Sequence, residues 1–190
     1  MTADEELIEL AAECDKDPEK WSRVAFDWGH GELADYDGPR EWQSEAFADI
    51  RDHLSNPKTR FMPLMLGRAS GHGIGKSAFI GMVTNWALST CDDCKVVVTA
   101  NTDTQLRTKT SPEIGKWSRL SITSHWFDVQ STSIASKDKD HAKTWRADFV
   151  PWSEHNTEAF AGLHNKGKRI VLIFDEASAI SDKVWEVAEG

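Results

Sequence analysis

The chain has 190 residues, with 22 Lys and Arg against 31 Asp and Glu and a formal charge of −9. A composition of 39% hydrophobic and 28% charged residues excludes a disordered or fibrous chain, and the length suits one domain with a real core. No run nears the roughly 20 apolar residues that span a bilayer, and the acidic start MTADEELIEL is no signal peptide, so a cytoplasmic protein without a membrane partner is expected.

The first element is a helix: Thr2 and Glu5 have capping-box spacing, and Leu7, Leu10, Ala11 and Cys14 recur at helical intervals. Asp17-Pro18 predicts a second start, with Trp21, Val24, Ala25 and Trp28 on one face. A turn-rich stretch from Gly29 to Gly38 follows, and Pro39 restarts a helix carrying Trp42, Ala46, Ile50 and Leu54. From residue 60 the pattern changes. RFMPLMLG is an apolar run ending in glycine, as in a buried strand, and Phe79, Met82, Val83 and Trp86 then have helical spacing.

Cys91 and Cys94 form a lone CxxC in the connection that follows. A structural zinc takes four ligands, so these are read as loop thiols, and no metal-binding cysteine site is expected. KVVVTA (Lys95 to Ala100) predicts a strand; residues 101–120 read as helical around Leu106, Ile114 and Trp117; Phe127 to Ala135 and Thr144 to Val150 alternate as strands do. RIVLIFDE (Arg169 to Glu176) is a continuous apolar run ending in two acids. Uninterrupted Val/Ile/Leu strands separated by helices predict an α/β fold, a mostly parallel sheet with helices on both faces. Two parts are expected, a helical lead-in over residues 1–60 and a core over 61–190.

SGHGIGKS, Ser70 to Ser77, lies between a predicted strand and a predicted helix. It completes the second half of the phosphate-loop pattern GxxxxGK[ST], with Ser70 in place of the first glycine. Gly71, Gly73 and Gly75 alternate, which permits the positive-φ geometry that turns successive N–H groups inward. His72 and Ile74 lie within the loop and contribute backbone. Lys76 would reach the β- and γ-phosphates, and the Ser77 hydroxyl would bind Mg²⁺. The chemistry implied is that of a P-loop NTPase.

Asp175 and Glu176 end the last strand. The carboxyl end of a buried parallel strand is where ligands sit in open α/β sheets. There an aspartate can hold Mg²⁺ and a following glutamate can accept a proton from the attacking water, which favours hydrolysis.

With these residues in place, the chain from about Trp21 onward resembles the ATPase region of the phage terminase large subunit, the motor that packages double-stranded DNA into procapsids. The marks are GPREWQ (Gly38 to Gln43), GRASGHGIGKS, VVVTANTDTQL, EAFAGLH (Glu158 to His164) and VLIFDEAS. The resemblance implies a RecA/helicase-like fold and Mg²⁺-dependent ATP hydrolysis in a host cell's cytoplasm. It makes Gln43 the adenine reader, Arg68 a catalytic γ-phosphate sensor beside Lys76, and Glu176 the base. Thr99, Thr102 and Gln105 would face DNA, with Arg107, Lys109 and Lys116 adding phosphate contacts. The implied partners are duplex DNA, the portal, the small terminase subunit and further copies in a ring. A helicase-like DNA-stimulated ATPase and a non-catalytic ATP-binding fragment are the alternative readings.

Charge distribution bears on the DNA partner. Residues 1–60 hold 16 acids and 7 bases, whereas Lys95 to Arg169 holds 12 bases and 8 acids. The duplex-facing surface is therefore expected in the second segment, with Trp145 beside Arg146 as an aromatic contact. The other tryptophans at helical spacing (Trp21, Trp28, Trp42 and Trp86) are expected in the core. Because nothing after Glu176 reads as a strand, the chain is expected to be an N-terminal piece lacking a coupling strand and a nuclease domain.

Overall fold

In a computed structural model, which describes residues 2–68, 73, 75–151 and 167–177, the capping box forms as the sequence predicts. The Thr2 backbone N–H donates to Glu5 Oε2 at 2.7 Å and the Glu5 N–H to Thr2 Oγ1 at 3.2 Å, opening α1 (Ala3–Glu13). In α2 (Pro18–Ala25) the Lys20 N–H donates to Asp17 Oδ1 at 2.9 Å, and Pro18 occupies the first turn, where its missing N–H loses nothing. Helix α3 spans Glu41–Ser55 and α4 spans Lys76–Ser89. The latter is buried on every side from Ile80 to Ser89.

Strand β1 (Lys95–Ala100) matches the β-branched run residue for residue. A helical stretch follows, made of α5 (Asp103–Gln105), a π-helical turn over Leu106–Thr110, and α6 (Ser111–Leu120). The remaining strands are β2 (Phe127–Val129), β3 (Ser133–Ser136), β4 (Arg146–Phe149) and β5 (Ile170–Asp175).

The five strands form one sheet in the order β2-β3-β4-β1-β5. β1 runs parallel to β4 and β5, with Ala100 opposite Asp175, while β3 runs antiparallel to β2 and β4. The sheet is therefore mixed, not mostly parallel as expected. The connections decide this: only residues 130–132 join β2 to β3, and parallel neighbours need a crossover of a dozen or more residues.

A second expectation also fails. RFMPLMLG forms no strand, and Phe61, Met62 and Met65 are 86%, 60% and 63% exposed. An apolar run becomes a strand only where a neighbour completes its backbone hydrogen bonds, and no described strand pairs with this one.

One hydrophobic core crosses residue 60. Val96, Val98 and Ala100 of β1 cluster with Met82 and Trp86 of α4, Ile114 and Trp117 of α6, and Trp21 and Phe47 of the N-terminal helices. Val97 and Thr99 alternate to the other face and are buried too, so β1 is covered on both sides. Helices α4 and α6 approach at Gly81, where a Cβ would lie 2.5 Å from Trp117 Cδ1. Trp28 and Trp42 pack at the core's edge, against Trp117 and Phe79 respectively.

Polar ties fasten the N-terminal helices to this core. Trp21 Nε1 donates to Asn85 Oδ1 at 2.9 Å, and Trp86 Nε1 donates to the Cys14 carbonyl at 2.9 Å. Arg169 stacks over Trp86 at 4.1 Å and donates to the carbonyls of Asp15 and Ala87. Cys94 is fully buried, and burial pushes its thiol up to about 12.

Candidate functional site

A cavity of about 460 Å³ opens where the start of α4 meets the end of β5. The α4 side supplies Gly73, Gly75, Lys76 and Ser77. Gly73 and Gly75 have φ of +77° and +90°, and Gly75 caps the helix in a left-handed conformation. Side chains at that φ are strained, and a Cβ on Gly75 would meet Gln43 Nε2 at 3.0 Å. The first-turn N–H groups of α4 have no helical acceptor and carry the positive end of the helix dipole, the standard provision for an anion.

The β5 side supplies Asp175 and Glu176. Asp175 is 8% exposed, and its Oδ2 accepts a 2.6 Å hydrogen bond from Thr110 Oγ1. Glu176 turns the chain at φ +57°, a conformation uncommon for residues with a side chain and concentrated at functional sites.

Two further walls were not foreseen. Gln105, Lys109, Glu113 and Lys116 come from the helical stretch after β1, and Trp28, Glu32, Tyr36 and Arg40 come from the connection between α2 and α3. Lys116 Nζ faces Glu32 Oε2 across 3.6 Å, and Trp117 Nε1 donates to Glu113 Oε1 at 3.0 Å.

The residues singled out from the sequence divide into three groups. Lys76, Ser77, Gly73, Gly75, Gln43, Asp175 and Glu176 come together in this cavity. Gln43 is buried there with its amide engaged at both ends: Oε1 accepts from the Arg40 N–H and Nε2 donates to the Gly75 carbonyl, both at 2.8 Å. Ser70, Gly71, His72, Ile74 and the segment EAFAGLH lie outside the described residues. Arg68 is described but does not line the cavity; its guanidinium pairs with Asp49 of α3.

The expected DNA-facing residues do not share a surface. Thr99 is fully buried in β1, because the strand is covered on both faces. The Thr102 hydroxyl caps α5 by accepting from the Gln105 N–H at 3.1 Å. Lys109 and Lys116 line the cavity, whereas Arg107 is paired with Asp103 and lines a separate depression with Arg119 and Gln130. Trp145 is half-buried, its Nε1 donating to the Leu88 carbonyl at 2.8 Å and its ring edge-on to Phe127.

The arrangement suits an anion accompanied by a hard divalent cation. Amide donors and Lys76 gather at one end. A hydroxyl (Ser77) and Asp175 Oδ1, which takes no hydrogen bond among the described residues, line the same cavity as oxygen donors. Mg²⁺ takes one or two protein oxygens and leaves the rest to phosphates and water, and no denser cluster of His, Cys, Asp and Glu occurs among the described residues. The donor set therefore fits Mg²⁺.

The family model for the helicase domain of RNA cytidine acetyltransferase NAT10/TcmA matches residues 69–187, the stretch from the phosphate loop through the acidic pair. The chain belongs to this helicase-domain family. Its fold is accordingly that of a P-loop-type, helicase-like α/β domain carrying a five-stranded mixed sheet. No curated protein and no solved structure matches the chain. Among the described residues, no helix is long and apolar enough to cross a membrane.

Proposed function

We propose that this cleft binds ATP with Mg²⁺ and hydrolyses its terminal phosphate. The observation that carries the reading is the convergence of Lys76 and Ser77 at the start of α4 with Asp175 and Glu176 at the end of β5, in one cavity. The α4 amides and Lys76 would hold the phosphates, and Ser77 with Asp175 would hold the cation. Bound Mg²⁺ neutralises charge on the phosphate oxygens. Glu176, exposed at the cleft, would take the proton from the attacking water. Gln43 retains one amide hydrogen and one lone pair for adenine.

The work coupled to hydrolysis is the finer part of the proposal. The terminase-like motifs GPREWQ and EAFAGLH support translocation of double-stranded DNA into a procapsid, with portal, small subunit and a ring of copies as partners. The family match supports a second reading, a helicase-like ATPase stimulated by nucleic acid.

Phosphate release from Mg-ATP, with and without duplex DNA, tests both. The expected result is turnover that DNA increases and that Glu176→Gln lowers by about a hundredfold or more while ATP binding persists. Separation of a short duplex would select the helicase-like reading. ATP binding without turnover in the unaltered chain would leave a non-catalytic nucleotide-binding module.

A further inference from the structure

The cleft holds a cation that the motifs do not assign. Lys109 lines the same cavity as Lys76, Ser77, Asp175 and Glu176. It is exposed and has no ion-pair partner among the described residues. Two other bases of the helical stretch have partners: Arg107 is paired with Asp103 at 2.8 Å, and Lys116 faces Glu32.

The backbone of Lys109 is also anchored. It sits in the π-helical turn Leu106–Thr110, whose Leu106 and Thr110 are buried, and Thr110 is bonded to Asp175. Lys109 is thus anchored one residue from a contact with the acidic end of the cleft. A π turn is rare and recurs at functional sites because its extra residue re-aims the side chains that follow. Electrostatics gives the turn a purpose: a triphosphate reaching Asp175 and Glu176 meets two carboxylates, and a second cation there offsets the repulsion.

We propose that Lys109 recognises the terminal phosphate and makes the cleft discriminate a nucleoside triphosphate from a diphosphate. This inference rests on the cleft's being a nucleotide site. The test is calorimetric binding of a non-hydrolysable ATP analogue and of ADP, each with Mg²⁺, to the full chain.

Lys109→Gln should weaken the analogue by about tenfold and ADP by less than about twofold, the loss of one charge-assisted contact. Lys109→Arg should restore most of the difference. Because Lys109 is exposed, its variants should keep the thermal unfolding midpoint. An equal loss for both nucleotides, or no loss, would overturn the role of Lys109, while Lys76→Ala losing both nucleotides would keep the cleft reading intact. Failure of the unaltered chain to bind either nucleotide would overturn both.

Discussion

Thr110 donates its hydroxyl to Oδ2 of Asp175 at 2.6 Å, tying the π turn after β1 to the carboxyl end of β5. Both residues are buried, so the bond sets the carboxylate's orientation and leaves Oδ1 for the cleft. Thr110→Val keeps the shape and removes the donor. The expected cost is about 1.5–3 kcal/mol, the range for a hydrogen bond to a charged group, with Thr110→Ser recovering most of it. Urea unfolding measures this, and an unchanged midpoint would show that the bond adds nothing net.

Trp21 tests whether the N-terminal helices belong to the core. Its ring is fully buried and its Nε1 donates to Asn85 Oδ1, which also accepts from Ser121 Oγ. Trp21→Ala should cost about 3–5 kcal/mol through the cavity it leaves. Trp21→Phe should cost less, because Asn85 keeps Ser121. A loss below about 1 kcal/mol for the alanine variant would mean that the helices dock only loosely.

The extent to which the sequence was legible follows from how local each signal is. The capping box depends on neighbouring residues alone and forms where expected, and the apolar runs KVVVTA and IVLIFD form strands because each finds the other as a partner. The exposed run RFMPLMLG has the same apolar character, but a strand also needs a partner's backbone, which composition does not report. The phosphate-loop glycines and the acidic pair were readable because backbone geometry and charge mark them. Lys109 and Lys116 are expected to contact DNA on the strength of net charge and the resemblance, and neither of these reports which way a side chain faces. The π turn inserts a residue and shifts the helical phase, so facing cannot be counted along the segment. Thr110 carried no motif at all; its partner is 65 residues away.

His141 clasps Asp93 at the surface. Its Nδ1 lies 2.7 Å from Asp93 Oδ1, which also accepts from Thr144 Oγ1 at 2.7 Å. The hydrogen bond to Asp93 raises the His141 pKa above its ordinary 6.5, and Asp138 and Asp140 add to this. The same bond lowers Asp93 below 3.8, with Thr144 next and Lys168 a minor contributor.

A raised histidine pKa gives stability that is fully present below the unfolded value and lost as pH rises through the folded one. The Asp93 share is present above its unfolded value and lost as pH falls through its lowered one. The unfolding temperature should therefore fall as pH rises from about 6 to 8. Asp93→Asn should flatten that slope while accepting the left-handed backbone at φ +54°. An equal slope in both proteins would assign the pH dependence to other groups.

The proposed function places a nucleoside triphosphate in one cleft, between the start of α4 and the end of β5, held by Lys76. The most direct measurement is equilibrium binding of a non-hydrolysable ATP analogue with Mg²⁺ to the unaltered chain and to Lys76→Ala. The expected result is saturable binding that weakens by about tenfold or more in the variant. Equal affinity in the two proteins would contradict it.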